Sequence, residues 1–248
     1  TINRASSASV ILLNTYPLTV LGNLNLSSGD LNANSLNVSV GGNFTLAAGT
    51  TYTPGTNWTT LNGSGAQTFT VNLAAALALK KFKLDKPSGT TLTLAGSQPV
   101  ITVEDSLMIV NGNLADGGKT IELKTSTTTT TSYLYNSGVH TGTGKILLSD
   151  DDPQIITGNG TGVFQNLEIN NTDASTAPVS LGASITVNGA LTLSQDKLFY
   201  ISTYNLALGS LATIVNAGPN RFIQTAGNAG DGGITKTYSS SSTSFVFP

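Results

Sequence analysis

The chain has 248 residues, of which 39% are hydrophobic and only 10% charged, with 27 Gly, no Cys, one His and a formal net charge of −2. Eleven basic residues against thirteen acidic ones cannot supply the Lys/Arg footprint that neutralises phosphates, and neither a Cys/His metal site nor a disulfide framework can be assembled. The Ala/Glu/Lys/Leu/Arg richness of long helices is missing, while Leu, Ile, Val and Phe together exceed the roughly 20% typical of disordered chains. No apolar run reaches the length of a membrane span and no basic-then-apolar leader opens the chain.

In chain order, the first strong pattern is Leu18-Thr19-Val20-Leu21-Gly22-Asn23-Leu24-Asn25-Leu26. Its second half recurs 20 residues on, as Val40-Gly41-Gly42-Asn43-Phe44-Thr45-Leu46. The whole segment returns without gaps as Ile101 to Ile109 and again as Ile185 to Leu193, at offsets of 83 and 84 residues. Gln67-Thr68-Phe69 leading to Phe82-Lys83-Leu84 is likewise echoed by Gln154-Ile155-Ile156 leading to Leu167-Glu168-Ile169. A period near 20 nested in one near 84 implies about four coils per long unit.

The local pattern is strand, with apolar and polar residues alternating at period 2 in Leu36 to Val40, Thr91 to Leu94 and Ala190 to Leu193. Thr fills many outward positions, and Gly, Asn, Ser and Asp occupy the breaks, where tight corners demand them. The exception is Leu73 to Lys81, whose alanines predict either a short helical turn bulging from a coil or continuation of the strand pattern. Recurrence at one spacing favours a β-solenoid over a pair of β-sandwiches. The predicted fold is all-β: a right-handed, single-stranded parallel β-helix of about 10–12 coils, with inward aliphatic ladders and outward polar rows. Residues 1–248 form one elongated domain, and 219–248 read as a terminal coil or the start of a transition to a following β domain. A start at Thr1 and a stop at Pro248 suggest a processed protein or a fragment.

Candidate sites are few. Tyr52 and Trp58 flank Pro54-Gly55, and Tyr133 and Tyr135 share one strand face, so these aromatics are candidate carbohydrate contacts. Asp150-Asp151-Asp152, ahead of Pro153, is the acidic cluster. Turn chemistry explains it best, ahead of a loosely held Ca²⁺ or a role in catalysis. His140, in Ser137-Gly138-Val139-His140-Thr141-Gly142, reads as a surface histidine without an orienting partner. Thr127 to Thr131 reads as an outward strand or loop. Glycoside hydrolysis needs two carboxyl groups across a cleft, and lyases of this fold add a basic catalyst. The two arginines, Arg4 and Arg221, lie near opposite ends, so no catalytic residue, cofactor or metal ligand is assigned.

The runs at Val20, Val103 and Val187, the pieces Gly63-Ser64-Gly65-Ala66-Gln67-Thr68-Phe69 and Phe164-Gln165-Asn166-Leu167-Glu168-Ile169-Asn170, and the tail Asn220-Arg221-Phe222-Ile223-Gln224-Thr225 carry a resemblance that covers most of the chain. The sequence resembles the β-helical repeat regions of very large secreted surface proteins and adhesins of Bacteroidetes, including gliding-motility adhesins and other cargo of the type IX secretion system. That resemblance implies a non-enzymatic stalk, spacer or display module at the cell surface, outside the outer membrane. Its partners would be flanking domains of the same chain, secretion machinery or surface glycans, with no nucleic acid and no membrane insertion. The type IX route is implied for a natural protein that extends beyond Pro248. Asp105-Ser106-Leu107 resembles the short O-glycosylation motif of the same phylum, with Ser106 as acceptor. The competing expectation is a carbohydrate-binding or carbohydrate-degrading β-helix.

Overall fold

Alternation at period 2 buries one side of every strand, and a strand buried on one side only must find a second apolar surface. The chain meets this need by winding around itself. A computed structural model describes residues 2–3, 9–11, 14–124, 132–228, 230–239 and 245; the threonine run 127–131 lies outside them. Every ladder between named strands is parallel, which excludes sandwiches. The fold is a β-solenoid of about nine turns, complete from Leu24 to Thr225 with part of a turn at either end. Each turn crosses three faces.

Face 1 is an eleven-stranded sheet running from Ile2–Asn3 through Leu24–Ser28, Phe44–Leu46 and Val139–Thr141 to Ile234–Lys236. At about 4.8 Å per strand it gives a rod on the order of 50 Å long. Faces 2 and 3 merge into one fifteen-stranded sheet because two long strands, Leu77–Asp85 and Val100–Asn111, run unbroken around the edge between them. The register shifts there between Leu79 and Lys81, and Glu104, Asp105 and Ser106 all point outward at the bend. Ion pairs Lys80–Glu104 and Lys81–Asp105 stack along this edge. A separate three-stranded sheet, Ser9–Ile11, Asp30–Asn32 and Thr51–Thr53, takes the place of face 2 in the first turns.

The core is a set of axial ladders. Leu24 stacks on Phe44 and Phe44 on Phe69 by register, and the Phe44 and Phe69 rings lie 5.1 Å apart at 17°. Leu77, Leu79, Phe82 and Leu84 are buried on one long strand. That strand corrects the helical alternative for Leu73 to Lys81: no helix occurs among the described residues there, because burying Leu77 and Leu79 on alternate residues outweighs the helix preference of Ala78 and of the three alanines before Leu77.

The two sequence periods prove to have different meanings. The 20-residue repeat is one turn, since Val20 pairs with Val40 and Leu26 with Leu46. The longer repeat is not four coils. Leu18–Val20 lies on face 3, residues 101–103 on face 2 and Ile185–Val187 on face 1. Counting each long strand as two crossings, successive copies are eleven strand positions apart, or three and two-thirds turns. The motif therefore encodes strand, corner and strand on whichever face it lands.

Candidate functional site

Corners are where backbone groups leave the ladders, so they are where polar side chains must come inside. At the corner after face 1, the Lys119 ammonium donates to the carbonyls of Gly96 (2.6 Å) and Gln98 (2.8 Å) one turn earlier. Lys236 does the same to Gly209 and Ala212. At the corner after face 3, buried Lys86 donates to Gly63, Gly65 and the Gln67 side chain. Burial lowers the pKa of Lys86.

His140 is part of this interior. It sits at an inward position of face 1 strand Val139–Thr141 with no exposed surface, which corrects its assignment to the surface. Its partner is Asp116, also without exposed surface, with Nε2 3.0 Å from Oδ2. Nδ1 accepts the Gln165 N–H at 3.3 Å, so the ring proton belongs on Nε2, donating to Asp116. The other Asp116 oxygen accepts N–H groups from Gly118 (2.7 Å) and Gly144 (3.0 Å). Burial would raise this carboxyl, but the bonds from His140, Gly118 and Gly144 outweigh it and hold the pKa below the ordinary carboxylate value. Gly142 has φ +122°, and a Cβ there would lie 2.1 Å from Asp116 Oδ1. Carboxylate, imidazole and a glycine-lined corner thus form one sealed unit. The pair has the composition of a general-base dyad, but only the chain itself reaches it.

At the corner after face 2, Asp150, Asp151 and Asp152 do converge, their nearest oxygens all within 4.8 Å of one another. Asp150 is buried, accepting Ser132 Oγ at 3.3 Å and the Asp151 N–H at 2.9 Å. Asn171 donates to the Asp152 carbonyl at 2.8 Å and to the Gln154 side chain, which in turn reaches Leu123 and Ser132. Asp152 Oδ2 is buried without a partner. Burial, then the charges of Asp150, Asp151 and Asp173, raise the Asp152 pKa. Converging through one oxygen each, the three carboxylates supply three of the six to eight oxygens that calcium takes.

The surface candidates divide. Tyr52 is 5% exposed, packs edge-on against Phe44 at 5.4 Å and shares a 2.8 Å hydrogen bond with Thr59. It is a core filler, and no sugar can stack on it, which corrects its assignment as a carbohydrate contact. Trp58 instead faces outward from Trp58–Leu61 on face 3, half-buried, with the Lys81 and Lys83 ammoniums each 5.9 Å from its ring. A groove of about 290 Å³ lies beside it. Ser106 is half-buried at the edge between faces 2 and 3, its hydroxyl donating to Asp105 at 3.1 Å. A larger hollow of about 430 Å³ is lined by Asp196, Lys197 and Phe222, with Asp196 bound to Arg221 at 3.1 Å.

These features define the chain as a β-solenoid repeat protein. Comparison with protein-family models, with curated proteins and with solved structures finds no match.

Proposed function

We propose that the solenoid is a structural module, the stalk, spacer or display surface of a secreted, adhesin-like protein at the cell surface, exported as type IX secretion cargo. The observation that carries this reading is the continuous packed interior. Aliphatic and phenylalanine side chains fill it in every complete turn, with His140 taking the inward place on one face 1 strand, and the corner lysines and amides tie turns to the ones before them. Each turn rests only on its neighbours, so such a rod transmits load along its axis. Sparse charge and outward Thr, Ser and Asn suit a ladder in which outward side chains of successive turns stand directly over one another and like charges would repel. The resemblance to Bacteroidetes surface proteins supplies the cellular setting.

Antibodies raised against this segment and added to intact cells test the location, and deletion of two turns from the natural protein tests the role. The reading expects surface labelling, and adhesion weakened by shortening the rod while its flanking domains stay folded. Labelling only after cell lysis, or adhesion indifferent to rod length, would overturn it.

A further inference from the structure

Parallel, in-register stacking turns each outward position into an axial row, and one row on face 3 is unlike the others. By register, Trp58 pairs with Lys81, Lys81 with Ser106, Ser106 with Tyr133, Tyr133 with Ile155, Ile155 with Ser180 and Ser180 with Tyr200. The three aromatic residues therefore occupy the first, fourth and seventh places of a single line. At about 4.8 Å per strand, each is about 14 Å from the next along the axis. All three point outward, and Tyr133 is 45% exposed. The equivalent row on face 1 runs Thr91, Asn113, Val139, Val163, Thr186, Ala207 and Thr235, with no ring in it.

We propose that face 3 binds a neutral polysaccharide chain laid along the rod, with Trp58, Tyr133 and Tyr200 as its stacking platforms. A pyranose ring has an apolar C–H face and a rim of hydroxyls. The row answers both, since rings alternate with the hydroxyls of Ser106 and Ser180 and the ammonium of Lys81. Charge selects a neutral polymer. The two lysines nearest Trp58 are matched by Asp105 at 3.4 Å and Asp85 at 3.8 Å, leaving no surplus cation for uronates, sulfates or nucleic acid. A peptide docking by strand addition would need an open sheet edge, whereas this row crosses the middle of a sheet. The groove bordered by Asn37, Ser39, Trp58 and Thr60 leaves space beside the indole. Evenly spaced platforms also favour a polymer over a short sugar, because once one ring is engaged the others bind at high effective concentration. This inference is independent of the stalk reading, since a rod that binds no glycan still extends an adhesin.

Native affinity electrophoresis through gels containing hydroxyethylcellulose, galactomannan or laminarin, with alginate as the anionic counterpart, tests it. The wild type is expected to be retarded by at least one neutral polymer. Trp58→Ala, Tyr133→Ala and Tyr200→Ala should each weaken binding about fivefold or more, the triple variant should abolish it, and trisaccharides should compete poorly. Tyr238→Ala, at an exposed tyrosine just after face 1 strand Ile234–Lys236, should change nothing. Thermal melts verify folding, and any variant that melts early is replaced by Thr, a residue the outward rows already carry. No retardation by any neutral polymer, unchanged retardation of the triple variant, equal loss with Tyr238→Ala, or retardation by alginate alone would each overturn the proposal.

Discussion

Two corners of the rod bury carboxylates and treat them in opposite ways. Asp116 has His140, Gly118 and Gly144 as donors, and its pKa lies below the ordinary value. Asp152 has two acidic neighbours in sequence and Asp173 from the next turn, one buried oxygen without a partner, and a pKa above the ordinary value. Both aspartates sit in loops that look like turn chemistry in the sequence. The difference comes from what the adjacent turns offer: His140 is 24 residues from Asp116 and Gly144 is 28. In a solenoid, whether a buried charge stabilises or strains the fold is decided one turn away.

The sharpest way to break the contrast is to take the donor from the satisfied corner. His140→Ala leaves the Asp116 carboxylate buried with two donors and opens a void, and losing a hydrogen bond to a buried charged group costs about 1.5–3 kcal/mol before the void is counted. A markedly lower urea midpoint is expected; a change under about 1 kcal/mol would mean that water replaces the imidazole. Gly142→Ala attacks the same corner from the backbone side. Its φ is strained for any L side chain, and the added Cβ collides with the carboxylate, so a loss of about 1–3 kcal/mol is expected by the same measurement.

That this corner was illegible in the sequence while the fold was legible has a physical reason. Strand alternation is a local signal, and the 20-residue repeat joining Val20 to Val40 is a direct image of stacking. Partnerships across turns depend on corner lengths, and these vary. Steps along the aromatic row run from 20 residues, Ser180 to Tyr200, to 27, Ser106 to Tyr133, so no fixed offset could align Trp58 with Tyr133 or Asp116 with His140. The 84-residue repeat misleads for a related reason: it records which strand–corner–strand units resemble one another, and these fall on different faces. Tyr52 looks exposed in the sequence because the nearby Pro54-Gly55 suggests an open corner, whereas its alternation with Thr51 and Thr53, both exposed, puts the ring inside.

Acid sharpens the comparison through its sign. A carboxyl whose folded pKa is depressed contributes stability that is present above its unfolded pKa, about 3.9, and is lost as pH falls through the lower folded value. The Asp116 corner should therefore weaken only below about pH 4. Asp116→Asn sets two N–H groups, its own amide and Nε2 of His140, against each other unless the ring tautomer changes. It should lower the urea midpoint at pH 7 and remove this part of the acid dependence. A wild type and variant whose midpoints fall in parallel from pH 5 to 2 would place the acid sensitivity elsewhere.

The smallest effect belongs to the strained corner, and it should have the opposite sign. Because the folded pKa of Asp152 is raised, the unfolded chain holds this proton less tightly than the folded one. Ionisation then costs stability above the folded pKa, and that cost disappears as pH falls below the unfolded value. Asp152→Asn removes one charge from the cluster and keeps the side chain's shape, while the Asn171 bond to the residue 152 carbonyl is untouched. The variant should be modestly more stable than wild type at pH 7, with the gain vanishing in acid. A gain also requires that the new amide find an acceptor where Oδ2 had no partner, and Asp150, Asp151 and Asp173 surround it with carboxylate oxygens. A loss of stability at pH 7 would overturn the reading of this corner as the strained one.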